Sequence, residues 1–265
     1  MIIDFHIHMF PDNLAAKALG GITEGTGVGG CCTDGTYADT LAKMDQWGVD
    51  KAVVQHIATR PGNMHSVNDW AASIQNDRIY SFGSVHPEAE DALEEVRRIR
   101  ALGLHGVKLH PDYQHFFAGD KAYYPLYREI EAAGLPVLFH TGFDPYSPDV
   151  LHTAPEDLAA ISEACPNLTI IAAHMGGIRT TDRAIAALVD TPVYLDTAVS
   201  ARVMTGEDYA RVLEAFGPDR ILFASDCPWS PADKELAFLK DAGLDQGAID
   251  KILYKNACRL LGIEG

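Results

Sequence analysis

The sequence predicts a (β/α)8 TIM barrel, a closed ring of eight parallel strands each followed by a helix. Three observations predict it. Short β-rich runs alternate with amphipathic segments from end to end. Eight such pairs fit in 265 residues, which is the arithmetic of this barrel. Most strand runs are continuously apolar, as strands buried on both faces are. An open doubly wound sheet is the alternative, but it wants a glycine-rich turn after its first strand. Here that strand runs into His-Ile-His-Met-Phe-Pro.

The first strand is expected over residues 2–8. A long connection follows, 9–35, and its GGITEGTGVGGCCTDG stretch is dense in glycine. A structureless loop of that length is unusual in a compact domain and often functional, so it reads as a mobile cover over the barrel mouth. The other strands are expected over 51–59, 79–86, 106–110, 136–141, 168–174, 193–199 and 221–226. Helices are expected over 36–48, 66–76, 88–102, 121–133, 155–165, 180–189, 207–216 and 231–241, with a last one over 248–261. The helix over 88–102 is the clearest. Leu93, Val96, Ile99 and Leu102 make its apolar stripe, and Glu and Arg fill the other face. Gly48, Gly103, Gly134 and Gly217 sit just past helical patterns, where a left-handed residue is wanted. Pro155 opens a helix after Thr153. Composition does not break anywhere, so residues 1–265 read as a single domain.

Charge narrows the partners. Lys and Arg number 21 and Asp and Glu 37, a formal charge of −16. Such a surface repels phosphate backbones and anionic lipids, which argues against nucleic acid and membrane surfaces. No apolar run approaches the roughly 20 residues of a membrane span. The start, MIIDFHIHMF, lacks the basic residues and long apolar stretch of a signal peptide. Five cysteines is an odd number, and Cys31 and Cys32 are adjacent. That is no disulfide framework, and it fits a reduced, cytoplasmic setting.

The histidines carry the functional signal. In a parallel barrel the active site lies at the C-terminal ends of the strands. His6, His8, His56, His86, His110, His140 and His174, seven of 11, fall at expected strand ends. Histidines decorating surface helices would not collect there. Lys108, Asp196 and Asp226 join them. On a strand, His6 and His8 point to one face, toward the barrel axis. With a histidine ending the fifth strand, another the sixth and an aspartate the eighth, nitrogen and oxygen ligands are available to a cation such as Zn2+.

Six segments carry a resemblance. They are Asp-Phe-His-Ile-His (4–8), Gly-Val-Lys-Leu-His-Pro (106–111), Leu-Phe-His-Thr-Gly (138–142), Ala-Ala-His-Met-Gly-Gly (172–177), Ala-Ser-Asp-Cys-Pro-Trp (224–229) and Asn-Ala-Cys-Arg-Leu-Leu-Gly (256–262). In this order they resemble the amidohydrolase superfamily, in the branch that includes aminocarboxymuconate-semialdehyde decarboxylase. The resemblance implies one divalent metal, usually zinc, with Mn2+ or another divalent ion as alternatives. His6, His8, His140 and Asp226 would hold it. Asp226 and His174 would be catalytic, with His174 close to the metal-bound water or the substrate. Lys108 matches a position that some binuclear members carboxylate to bridge two metals; otherwise it serves a substrate carboxylate or the fold.

The chemistry expected first is hydrolysis of an amide, ester or lactone of a small organic acid by a metal-activated water. Zinc lowers the pKa of such a water from about 16 to near 7, Asp226 accepts its proton, and His174 orients it or stabilises an oxyanion. The alternative is non-oxidative decarboxylation of an aromatic or unsaturated carboxylic acid, a carbon–carbon lyase reaction. Few arginines near strand ends tilt the reading toward hydrolysis. An anionic small-molecule substrate needs cations and flat surfaces. Lys108, His86, His110 and Arg179 are the candidates for the first, and Tyr113 and Trp229 for stacking. The Met175-Gly176-Gly177 turn resembles a backbone nest for an oxyanion. The branch often forms homodimers. Other residues read as structural: His56 as a hydrogen-bonded core histidine, Cys227 as a buried filler turned from the axis. Asp4 either fixes an imidazole tautomer or is structural, and Asp196 either shapes the pocket or caps the next loop.

Overall fold

The protein was analysed as a computed structural model, which describes residues 1–264. The strands are β1 (Ile3–Ile7), β2 (Lys51–Gln55), β3 (Ile79–Ser84), β4 (Val107–Leu109), β5 (Val137–Phe139), β6 (Ile170–Ala172), β7 (Tyr194–Asp196) and β8 (Ile221–Leu222). Among the described residues they form one eight-stranded sheet in sequence order, each strand parallel to the next. The ends meet. Phe5 N donates to Phe223 O at 2.8 Å, Asp226 N to His6 O at 2.8 Å and His8 N to Cys227 O at 2.6 Å. The expected (β/α)8 TIM barrel is what forms.

The helices follow in chain order: α1 (Asp12–Thr26), α2 (Tyr37–Trp47), α3 (Met64–Ser73), α4 (Ala92–Ala101), α5 (Pro111–Gln114), α6 (Tyr124–Ala132) and α7 (Pro155–Ala164). After them come α8 (Thr181–Leu188), α9 (Ser200–Val203), α10 (Gly206–Phe216), α11 (Ala232–Asp241), α12 (Gln246–Asp250) and α13 (Asn256–Leu261). Two apolar layers hold the barrel. The inner one joins Ile3, Phe5, Val53, Phe82, Leu138 and Ile171 and is closed at one end by Ala257, Cys258 and Leu261 of α13. The outer one packs Val107, Phe139 and Ile170 against Val96, Ile130 and Ile161 on the helices. At about 25 cal/mol per Å2 of buried apolar surface, these layers are the main stabilising contribution.

Three expectations need correction. The 9–35 connection is not structureless: α1 occupies its first half. Leu14, Ala15, Ala16, Lys17, Ala18 and Leu19 are strong helix formers and outweigh Gly20, Gly21 and Gly25. The helix ends at Gly27, whose φ of 69° lets its N–H return to Thr23 O. On α4, Leu93 is exposed and Glu95 is buried instead, held by Asn68 Nδ2 at 2.6 Å and Arg98 Nη1 at 2.9 Å. The expected helix over 248–261 is three pieces, α12, a π-helical turn at Lys251–Lys255, and α13. Among the described residues, no helix is long and apolar enough to cross a membrane.

Candidate active site

The paired histidines on β1 owe their direction to a bulge. Simple alternation would place Ile3 and Phe5 on one face and His6 and His8 on the other. Yet Ile3 and Phe5 lie in the inner apolar layer, and Ile7 lies in the outer one. The register supplies the reason. Asp4 pairs with Ala52 but Ile7 pairs with Val54, so β1 holds one residue more than β2 across this step. A bulge of that kind re-aims the following side chains. Apolar filling below and imidazoles above thus share the barrel interior.

Hydrogen bonds fix the tautomers of these rings. His8 Nδ1 lies 2.8 Å from Gln55 O, a carbonyl that can only accept, so the proton sits on Nδ1. His6 Nδ1 donates to Asp196 Oδ2 at 2.8 Å. Both rings therefore turn an Nε2 lone pair inward. The two Nε2 atoms are 3.2 Å apart, and Asp226 Oδ1 lies 3.5 Å from the first and 3.2 Å from the second. Burial drives the His6 pKa well below its usual value and that of His8 to about 3, so both rings are neutral at pH 7. Burial pushes Asp226 up to about 7. Three acceptors meet here, and the one donor among them is Lys108 Nζ, 3.4 Å from His6 Nε2. Lone pairs brought together in this way fit a divalent cation held by imidazole and carboxylate.

His140 stands apart from that group. Its Nδ1 is 3.0 Å from His174 Nε2, and its Nε2 faces Asp144 Oδ2 at 3.6 Å. Its ring stacks on His110 with centroids 4.3 Å apart, and His110 stacks in turn on Tyr113 at 3.8 Å. The structure thus brings together three of the four residues expected to share a cation. The fourth lies in a second cluster with His110 and Asp144. His174 lies between the two, its ring 5.5 Å from that of His6 and its Nδ1 3.2 Å from Ala198 O. His174 and Asp226 have positive φ, 61° and 68°, a strained backbone of the kind that gathers at functional sites.

The remaining expected residues divide. Lys108 is buried, and burial lowers its pKa to about 8. Tyr113 and Trp229 are half-buried. Arg179 is exposed, its guanidinium 3.7 Å from the centre of the Phe143 ring. In the Met175-Gly176-Gly177 turn, Met175 and Gly177 donate their N–H groups to the carbonyls of Asp196 and His174. His86 is buried but belongs to neither His/Asp group, and Glu88 N approaches its Nδ1 at 3.3 Å. His56 faces α3, bonded to Ser81 Oγ at 3.2 Å with its ring edge-on to Trp70. Cys227 is buried in the outer layer, its Sγ 3.8 Å from that of Cys32.

Of the two readings open for Asp4, the structural one holds. Asp4 binds backbone, accepting from Ser225 N at 2.9 Å and His6 N at 3.3 Å. Asp196 is the ring partner, and it also accepts from His174 N and Ala198 N. Asp144, Asp112 and Arg202 went unseen. Asp144 follows Gly142, and a Cβ on Gly142 would lie 2.3 Å from Ile178 N. The available signal was Asp144 four residues beyond His140 in the same turn. Asp112, two residues past His110, offered a similar one. Arg202, on α9, donates to Trp229 O at 3.1 Å.

Comparison with known proteins follows from this geometry. The family model described as Amidohydrolase matches residues 3–263. The chain belongs to the amidohydrolase family. Several solved structures share the amidohydrolase's fold. A TIM-barrel protein of Bordetella bronchiseptica superposes with a TM-score of 0.79 at 22% identity, with 98% of each chain covered. A 2,6-dihydroxybenzoate decarboxylase from Rhizobium gives 0.74 at 19%, covering 100% of this chain and 99% of that one. A dihydroxybenzoic acid decarboxylase of Polaromonas sp. JS666, with bound manganese and the inhibitor 2-nitroresorcinol, gives 0.74 at 16%, covering 98% and 96%. No curated protein matches the amidohydrolase by sequence.

Proposed function

We propose that the protein is a metal-dependent, non-oxidative decarboxylase of a small aromatic carboxylic acid. The observation that carries this reading is a column of stacked aromatic rings next to His174, between it and Tyr146. Tyr113, His110 and His140 stack in parallel there, with interplanar angles of 7° and 9°, and Tyr146 stands edge-on to Tyr113. A planar ring can pack against the edges of this column. The solved decarboxylases with the same barrel support the reading and displace hydrolysis as its first form.

A divalent cation, manganese or zinc by the donor set, would be held by His6, His8 and Asp226, and by His140 if its ring turns inward. It would supply a Lewis acid to the oxygens of the bound acid. The chain's own groups do the rest. Tyr113 and His110 orient the ring, and Trp229 and Arg179 border the approach. Lys108 offers one buried positive charge to a substrate carboxylate. The bond from ring carbon to carboxylate breaks with its electron pair left on the ring. Carbon dioxide leaves, and that carbon takes a proton. His174, whose ring lies between the two clusters, is the group placed to carry the proton. Asp196 keeps His6 oriented throughout.

The same cluster can also serve hydrolysis of a lactone or amide, so the test must separate the two. Protein loaded with manganese or zinc is incubated with a panel of hydroxybenzoates, lactones and amides. The expected result is carbon dioxide released from an aromatic acid without an oxidant. His6→Ala and Asp226→Ala should abolish metal content and turnover together, and His174→Ala should abolish turnover while metal remains. Acid release from a lactone or amide, with no carbon dioxide from any aromatic acid, would restore the hydrolase reading.

A further inference from the structure

We infer that Cys32 and Cys227 form a peroxide-sensitive disulfide site which, when closed, ties the segment between α1 and α2 to the end of β8. The fold sorts the five cysteines. Cys165 is buried in the outer apolar layer and Cys258 in the inner one, at the end closed by α13. Cys32 and Cys227 are 195 residues apart in sequence, yet their sulfurs lie 3.8 Å from each other. At that separation the two atoms touch and nothing stands between them. The backbones around them are already fixed. Cys32 N donates to Pro228 O at 2.9 Å, His8 N to Cys227 O at 2.6 Å and Cys227 N to Ser225 Oγ at 3.0 Å. The far end of the segment is held where Phe10 N donates to Gly35 O at 2.8 Å. The main chain thus presents one sulfur to the other, and closing the bond takes a turn of the side chains.

The surroundings favour this chemistry over metal binding. The Cys227 thiol donates to Thr33 Oγ1 at 3.9 Å. Two sulfurs and a hydroxyl are too few donors for a resident metal ion. Exposure divides the work between the thiols. Cys32 is half-buried and open to a small oxidant, whereas Cys227 is buried. The oxidant is a peroxide. The Cys32 sulfur attacks one peroxide oxygen and the O–O bond breaks, leaving Cys32 as a sulfenic acid and releasing water. The Cys227 sulfur then attacks the Cys32 sulfur. The S–O bond breaks, the Cys227 proton leaves with the hydroxide as a second water, and the S–S bond forms. One peroxide and two thiols give one disulfide and two waters. An added dithiol reverses the bond by exchange.

The test is a thiol count with peptide mapping. Reduced wild-type protein is exposed to hydrogen peroxide, its free thiols are blocked in denaturant, and intact mass and peptides are measured. The chain should lose two hydrogen atoms, keep three of its five thiols and yield a peptide linking residues 32 and 227. Dithiothreitol should restore all five. Cys31→Ser should form the same link, and Cys32→Ser and Cys227→Ser should each form none. Oxidised wild type should also unfold at higher urea than reduced wild type, because a bond between distant residues restricts the unfolded chain. Five free thiols in peroxide-treated wild type, or a bond between Cys31 and Cys32 in place of the expected one, would overturn the site without any variant having to fold. A linked peptide with an unchanged urea midpoint would overturn the tether.

Discussion

Asp196 illustrates how much of the site rests on one buried carboxylate. One oxygen sets the His6 tautomer, and the other holds the backbone of His174 and Ala198. Asp196→Asn should keep the backbone contacts and weaken the ring contact. Metal affinity is expected to fall about 10- to 100-fold, as for outer partners of metal-bound histidines, and equilibrium dialysis reads this directly. His56 supports a different prediction, about pH. Burial lowers its pKa from 6.5 to about 3. Above pH 6.5 neither folded nor unfolded chain holds this proton, and the contribution of His56 to stability is complete. Below that value the unfolded chain takes a proton that the folded chain refuses. Stability is then lost by about 1.4 kcal/mol per pH unit until the pH falls through the folded value. His56→Gln removes this slope. Urea unfolding at several pH values should therefore show the gap between wild type and variant narrowing as the medium is acidified from pH 7.

Secondary structure was legible where periodicity and burial agree. Most of the eight strands read as apolar runs because the sheet is covered on both faces, and strand ends could be located by counting. That alone put His6, His8, His140, His174 and Asp226 at one rim. The bulge in β1 was not legible, since an extra residue in a ladder leaves no mark on composition. Nor were the loops. Asp144 reaches His140 only because the chain turns tightly at Gly142 against Ile178, and Asp112 needs the short α5 to turn inward. α1 was hidden by its glycines, which were given more weight than the alanines before them. Helix starts are the other overlooked detail. Thr205 Oγ1 accepts from Asp208 N at 3.1 Å and caps α10. Thr205→Ala should cost about 1 kcal/mol, seen as a lower urea midpoint with metal content unchanged.

The whole molecule combines a net charge of −16 with a buried cluster of carboxylates and neutral imidazoles. Its apolar layers suffice to fold it, so a chelator should leave a cooperative unfolding transition in place. Adding metal at a hundred times its dissociation constant should raise the unfolding free energy by about 2.7 kcal/mol, measured by urea titration. The ring of strands closes between β1 and β8, and His6 and His8 come from one side of that joint while Asp226 comes from the other. An ion gripped by all three would cross-link the first and last strands of the polypeptide across the joint that closes the ring. Folding and metal uptake are then coupled at one place, and a shortened chain lacking either terminal strand loses the joint and the grip together.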